Sequence, residues 1–116
     1  MPQEDSPCPC GSGEQYGACC GPLHAGDRAA STALALMRSR FSAFALGRPD
    51  YLLATWHPGT RPKRLELDAA ITWRRLQIVD TAAGGVDDTD GIVEFRAVYT
   101  QDGTRQVLHE RSLFVR

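Results

Sequence analysis

The sequence predicts an α+β fold behind a small cysteine-rich head. Three observations predict it. All four cysteines fall between positions 8 and 20 of 116 residues, and apolar residues recur at helical spacing from Leu34 to Phe44. From Trp73 onward the apolar period shifts to two, so helices precede a sheet.

The chain divides at about residue 26. Residues 1–26 carry Pro2, Pro7, Pro9 and Pro22 with five glycines, and no stretch there has the period of a helix or strand. This head cannot bury a core of its own and needs a crosslink. In residues 27–116, Leu34, Met37, Phe41 and Phe44 form one stripe, with Arg38 and Arg40 turned away. Ser31 stands where an N-cap belongs, and Gly47 with Pro49 marks the helix end. Asp50 is expected to cap a second helix, Tyr51 to Trp56, stopped by Pro58. Strands are expected over Trp73–Val79, Gly91–Thr100 and Val107–Val115, the last two joined by a tight turn at Asp102-Gly103. Residues 84–90, acidic and glycine-rich, read as a surface connection.

Composition narrows the function. Hydrophobic residues are 42% and charged residues 23% of the chain, a globular balance that argues against disorder. A net charge of -1 argues against a nucleic-acid or membrane coat. Nine basic residues between Arg28 and Arg75 face only Asp50, Glu66 and Asp68, a local excess read as a solvated rim. The longest apolar run, Ala33 to Met37, is far shorter than the roughly 20 residues of a membrane span. Met1 to Pro7 has two acids and no basic residue, unlike a secretory signal. The expectation is a soluble cytoplasmic protein.

The cysteines read C-x-C-x8-C-C: Cys8, Cys10, Cys19 and Cys20. Two bridges inside so short a segment would brace little of the fold, and bridges between near neighbours are strained. Four thiolates from two short clusters suit a tetrahedral, structural zinc ion with Zn–S near 2.3 Å and no open position for water. Pro9 fixes the first pair, and Gly11 and Gly13 let amide groups turn toward the sulfurs. Cys19 and Cys20 are adjacent, so the chain must bend for both to reach one ion, and His24 stands by as a substitute ligand. A thiol cluster that releases metal on oxidation is the alternative.

The segment Cys8-Pro9-Cys10-Gly11-Ser12-Gly13, followed by Tyr16 and Cys19-Cys20-Gly21, resembles the SEC-C zinc motif. That motif also ends the preprotein translocase ATPase, which implies docking to a chaperone or the ribosome. Glu14 and Gln15 stand where the motif usually has basic residues. The remainder is similar to the YchJ-like family through Leu36-Met37-Arg38-Ser39-Arg40-Phe41-Ser42-Ala43-Phe44, Tyr51 to Pro58, and His109-Glu110-Arg111-Ser112 with Phe114-Val115-Arg116. The resemblance implies a nuclear-transport-factor-2-like, or cystatin-like, domain: helices packed in the concavity of a curved antiparallel sheet. Family members commonly continue past Phe-Val-Arg into another strand, so the expected sheet lacks a final strand, and an unpaired edge would favour a homodimer.

Folds of this kind host isomerases, dehydratases and binding modules alike. The polar candidates are His57, His109, Glu110, Asp50 and Arg38. His57 could serve as a general base or simply cap the second helix. Glu110, sharing a strand face with Leu108, Ser112 and Phe114, would be an acid or base only if that face is concave and walled by apolar groups. The reading favoured is an interaction module, presenting Tyr16 and neighbouring backbone of the zinc knuckle to a protein partner. A small apolar ligand in the cavity of the sheet, bound or turned over, is the runner-up.

Overall fold

A computed structural model of the protein describes residues 5–56 and 70–115. A 3-10 turn, Tyr16–Ala18, leads into α1 (Cys20–His24), followed by α2 (Ala33–Leu46) and α3 (Pro49–Ala54). Strands β1 (Ile71–Ala83), β2 (Asp90–Gln101) and β3 (Thr104–Val115) then form one antiparallel sheet in the order β1-β2-β3. The fold is α+β, as the change of period requires. Among the described residues no helix is long and apolar enough to cross a membrane.

Both helix starts differ by a residue or two from expectation. Thr32, not Ser31, caps α2: its backbone is extended and its Oγ1 accepts the Ala35 amide at 3.0 Å. The Ala33 amide is taken by the Gly84 carbonyl at 2.9 Å, which seats the helix on the sheet. Gly47 ends α2 with φ +70°, the left-handed conformation a glycine adopts without strain. In α3 the fixed φ of Pro49 opens the first turn, so Arg48 is the cap and Asp50 falls inside the helix.

The strands run longer than the alternation suggested. Two bulges, at Trp73/Arg75 and Ile78/Asp80, each insert one residue into β1. The first resets the period so that Trp73, Leu76 and Ile78 all reach the helix side, and each bends the strand. Asp102 and Gly103, at φ +52° and +82°, make the two-residue turn between β2 and β3. Met37 and Phe41 of α2 pack on Leu76, Val93, Phe95 and Ala97, and Trp73 closes the layer against Phe41, Phe44 and Tyr99.

The connection between β1 and β2 is the expected surface loop, exposed over residues 86–90, but its first residue, Gly84, is buried beneath α2. A Cβ on Gly91 would lie 2.3 Å from the Gly84 Cα and 3.1 Å from the Ala33 Cβ, so two glycines let the sheet end pass beneath α2. Gly91→Ala is expected to cost about 2–3 kcal/mol, the upper range for overpacking, as read from urea midpoints.

Candidate metal centre

The cysteine head folds as a miniature hairpin. Cys8 N–H donates to Glu14 O at 2.9 Å and Tyr16 N–H to Ser6 O at 2.8 Å, which holds the Cys8–Cys10 loop over the second pair. The chain bends at Cys19, the cap of α1, so that Cys20 starts the helix with its sulfur beside that of Cys19.

The four sulfurs all lie within 4.8 Å of one another, with Cys10–Cys19 at 3.6 Å and Cys19–Cys20 at 3.9 Å. Four metal–sulfur bonds of about 2.3 Å in a tetrahedron give sulfur–sulfur edges of about 3.8 Å. The thiols are therefore arranged for one metal ion. Hydroxyls surround them: Ser12 Oγ is 3.2 Å from Cys19 Sγ, and Ser42 Oγ is 3.4 Å from Cys20 Sγ and 3.5 Å from Cys8 Sγ. Cys10 is held well below the usual thiol range by the Cys20 and Cys8 thiols, with the Ser12 hydroxyl and amide adding to the effect. The same contacts push Cys20 far up, and burial raises Cys19. The protons that Cys19 and Cys20 keep are the ones a bound cation would displace.

His24 is not among the converging ligand atoms. Its Nε2 donates to the Ser39 carbonyl at 2.8 Å, which leaves Nδ1 to accept the Tyr16 hydroxyl at 2.7 Å. The imidazole also packs on Tyr51, whose hydroxyl donates to Ser39 Oγ at 2.8 Å. His24 thus latches the head to α2 and α3. Tyr16 is spent in the same latch: it is buried, so it cannot be the side chain presented to a partner. The residues exposed around the sulfurs are Gly11, Gly13, Glu14, Gln15 and Ala18.

Burial pushes the His24 pKa below its ordinary 6.5. The unfolded chain then takes up a proton that folded His24 refuses. This contribution is whole above about pH 6.5 and is lost as the pH falls below it, by up to about 1.4 kcal/mol per pH unit. Urea denaturation at about pH 7.5 and 5.5, with metal content followed in parallel, checks it: His24→Gln should shrink the difference.

The other candidates are dispersed. Arg38 Nη1 donates to the Cys10 carbonyl at 2.8 Å, and Asp50 pairs with Arg48 at 3.4 Å. His109 meets Glu94 at 2.8 Å on the outer face of the sheet, where Arg111 links Glu94 and Asp80. Glu110 pairs in register with Phe95, so it is on the helix side of the sheet. It is nevertheless exposed, beyond the reach of the helices, and accepts the Ser112 hydroxyl at 3.1 Å. His57 lies outside the described residues, as do Arg61, Lys63 and Arg64 of the basic stretch. Arg40 of that stretch donates to the Thr55 carbonyl at 3.0 Å and stacks over Trp56. A cleft of about 580 Å³ opens between the helices and the end of the sheet, lined by Leu23, Ala30, Leu36, Tyr51 and Phe114 among others.

Comparison with known families agrees with this anatomy. The SEC-C motif matches residues 6–22, and the middle NTF2-like domain of YchJ matches residues 32–116. The chain belongs to the YchJ-like family. This YchJ-like chain is 56% identical over 110 residues to a UPF0225 protein of Streptomyces coelicolor, covering 95% of the chain and 86% of that protein. It is 48% identical over 118 residues to a UPF0225 protein of Chromobacterium violaceum, covering 98% and 87%. Two solved structures share the fold. A SEC-C motif containing protein from Rhodopseudomonas palustris, solved in solution, is 37% identical with a TM-score of 0.81 over 94% of this chain and 88% of that one. A crystal structure of another, from Psychrobacter arcticus, is 30% identical with a TM-score of 0.79 over 97% and 73%. Both resemblances read in the sequence therefore hold for this YchJ-like chain.

Proposed function

We propose that this YchJ-like chain is a zinc-dependent interaction module, one structural zinc ion being held by Cys8, Cys10, Cys19 and Cys20. The observation that carries the reading is the convergence of four thiols, joined by no histidine or carboxylate among the described residues, on a point sized for one ion. An all-sulfur tetrahedron suits one zinc ion, or one iron ion of the same coordination, whereas a polynuclear iron–sulfur cluster spreads its cysteines over several metal atoms. A closed site gives stability, not turnover. The metal would order residues that have no core of their own and fix the rim of Gly11, Gly13, Glu14, Gln15 and Ala18 as a rigid surface. By the SEC-C resemblance the partner is a chaperone or a ribosome-associated protein, and Glu14 on that rim favours a docking face that is not itself acidic.

Crosslinked affinity capture from host lysate, with and without ribonuclease, tests this reading. The zinc-loaded protein should retain chaperone or ribosomal proteins that the Cys10→Ser/Cys19→Ser variant loses. Equal capture by both would reduce the head to an internal brace. The cleft favours a second reading, a small-molecule binding protein for an apolar ligand. Glu110 is not among its lining residues, so the cleft supports binding without giving that carboxylate a role in catalysis.

A further inference from the structure

Helix α2 has two buried faces. Leu34, Met37, Phe41 and Phe44 meet the sheet, while Arg38, Ser42 and Leu46, spaced four apart, form a second row. Every member of that row touches the cysteine head. Arg38 donates to the Cys10 carbonyl at 2.8 Å, Ser42 sits against two sulfurs, and Leu46 packs on the thiol cluster.

Ser42 is the unusual member. A serine inside a helix commonly turns its hydroxyl back on the preceding turn, as Ser39 does to the Leu36 carbonyl at 2.8 Å. Ser42 is 0% exposed, so water is not its partner, and its Oγ lies 3.4 Å from Cys20 Sγ and 3.5 Å from Cys8 Sγ. A buried hydroxyl is costly unless bonded, and sulfur is what this one meets. Four thiolates around a dication carry a formal charge of about −2, which a donated hydrogen bond relieves.

We propose that the metal site is completed from outside its own motif: Ser42 donates to a cysteine thiolate and sets how tightly the metal is held, with Arg38 securing the loop beside it. The head and the larger domain are then one cooperative unit joined through α2. This inference rests on the metal reading above.

The test uses the full-length protein loaded with zinc or, as a spectroscopic probe, cobalt(II). Ser42→Ala favours the helix and so folds. Its metal affinity should fall about tenfold in chelator competition, the lower end for losing such a partner. The sulfur-to-cobalt charge-transfer band should move to longer wavelength, because an unbonded thiolate gives up its electron more easily. Ser39→Ala, equally buried but bonded to Leu36 and Tyr51 instead of sulfur, should lose stability without moving the band. Unchanged affinity and band in Ser42→Ala, or equal changes in Ser39→Ala, would overturn the role of Ser42 alone. Failure of the wild type to take up either metal would overturn the metal reading and this inference together.

Discussion

The Cys10→Ser/Cys19→Ser protein is expected to bind no zinc, against one ion per chain for the wild type, and to melt about 12–20 °C lower. The first result follows from halving the ligand set. The second follows from what hangs on the site. Cys20 starts α1, and the far end of that helix carries Leu23 and His24, both buried against the rest of the protein. Without metal, residues 5–26 lose the centre that ties their two cysteine pairs together, the Tyr16–His24–Ser39 latch loosens, and the faces of Ser42 and Leu46 open to water. A loss of about 3–5 kcal/mol corresponds to that fall in melting temperature for a domain of this size. Scanning calorimetry with metal analysis checks it, and far-ultraviolet circular dichroism should still report the sheet.

The second large effect is Phe41→Ala, at about 3–5 kcal/mol. Phe41 is 2% exposed and stands between the sheet core and Trp73, 6.0 Å between ring centroids, so the cavity left behind has rigid walls on both sides. Denaturant midpoints measure the loss. The zinc stoichiometry should stay at one per chain, because Phe41 faces the sheet and not the head. The pair of variants separates the two faces of α2.

Much of this anatomy is legible in the residues. The cysteine spacing points to the four thiols that converge because four in so short a run have few other uses, and the Leu34–Phe44 stripe and Asp102-Gly103 turn follow from local rules. The second face of α2 is not legible in the same way. Its buried member Ser42, and Ser39 on the neighbouring row, are polar, and only contact with the head and with Tyr51 makes them interior. The length of β1 is hidden because each bulge interrupts alternation, and a period of two cannot be followed across an inserted residue. His24 invites a ligand reading by its position near the cysteines. A carbonyl from α2, remote in sequence, engages its Nε2 instead. Glu110 shows the limit of strand alternation, which assigns a face but not whether anything covers it.

Zinc K-edge X-ray absorption on the zinc-loaded protein reads the identity and number of the metal's ligands. One zinc per chain is expected, bound by four sulfurs at about 2.3 Å, with the same spectrum in His24→Gln. A nitrogen ligand, fewer than four sulfurs, or no bound zinc after equilibration would overturn the four-cysteine zinc site.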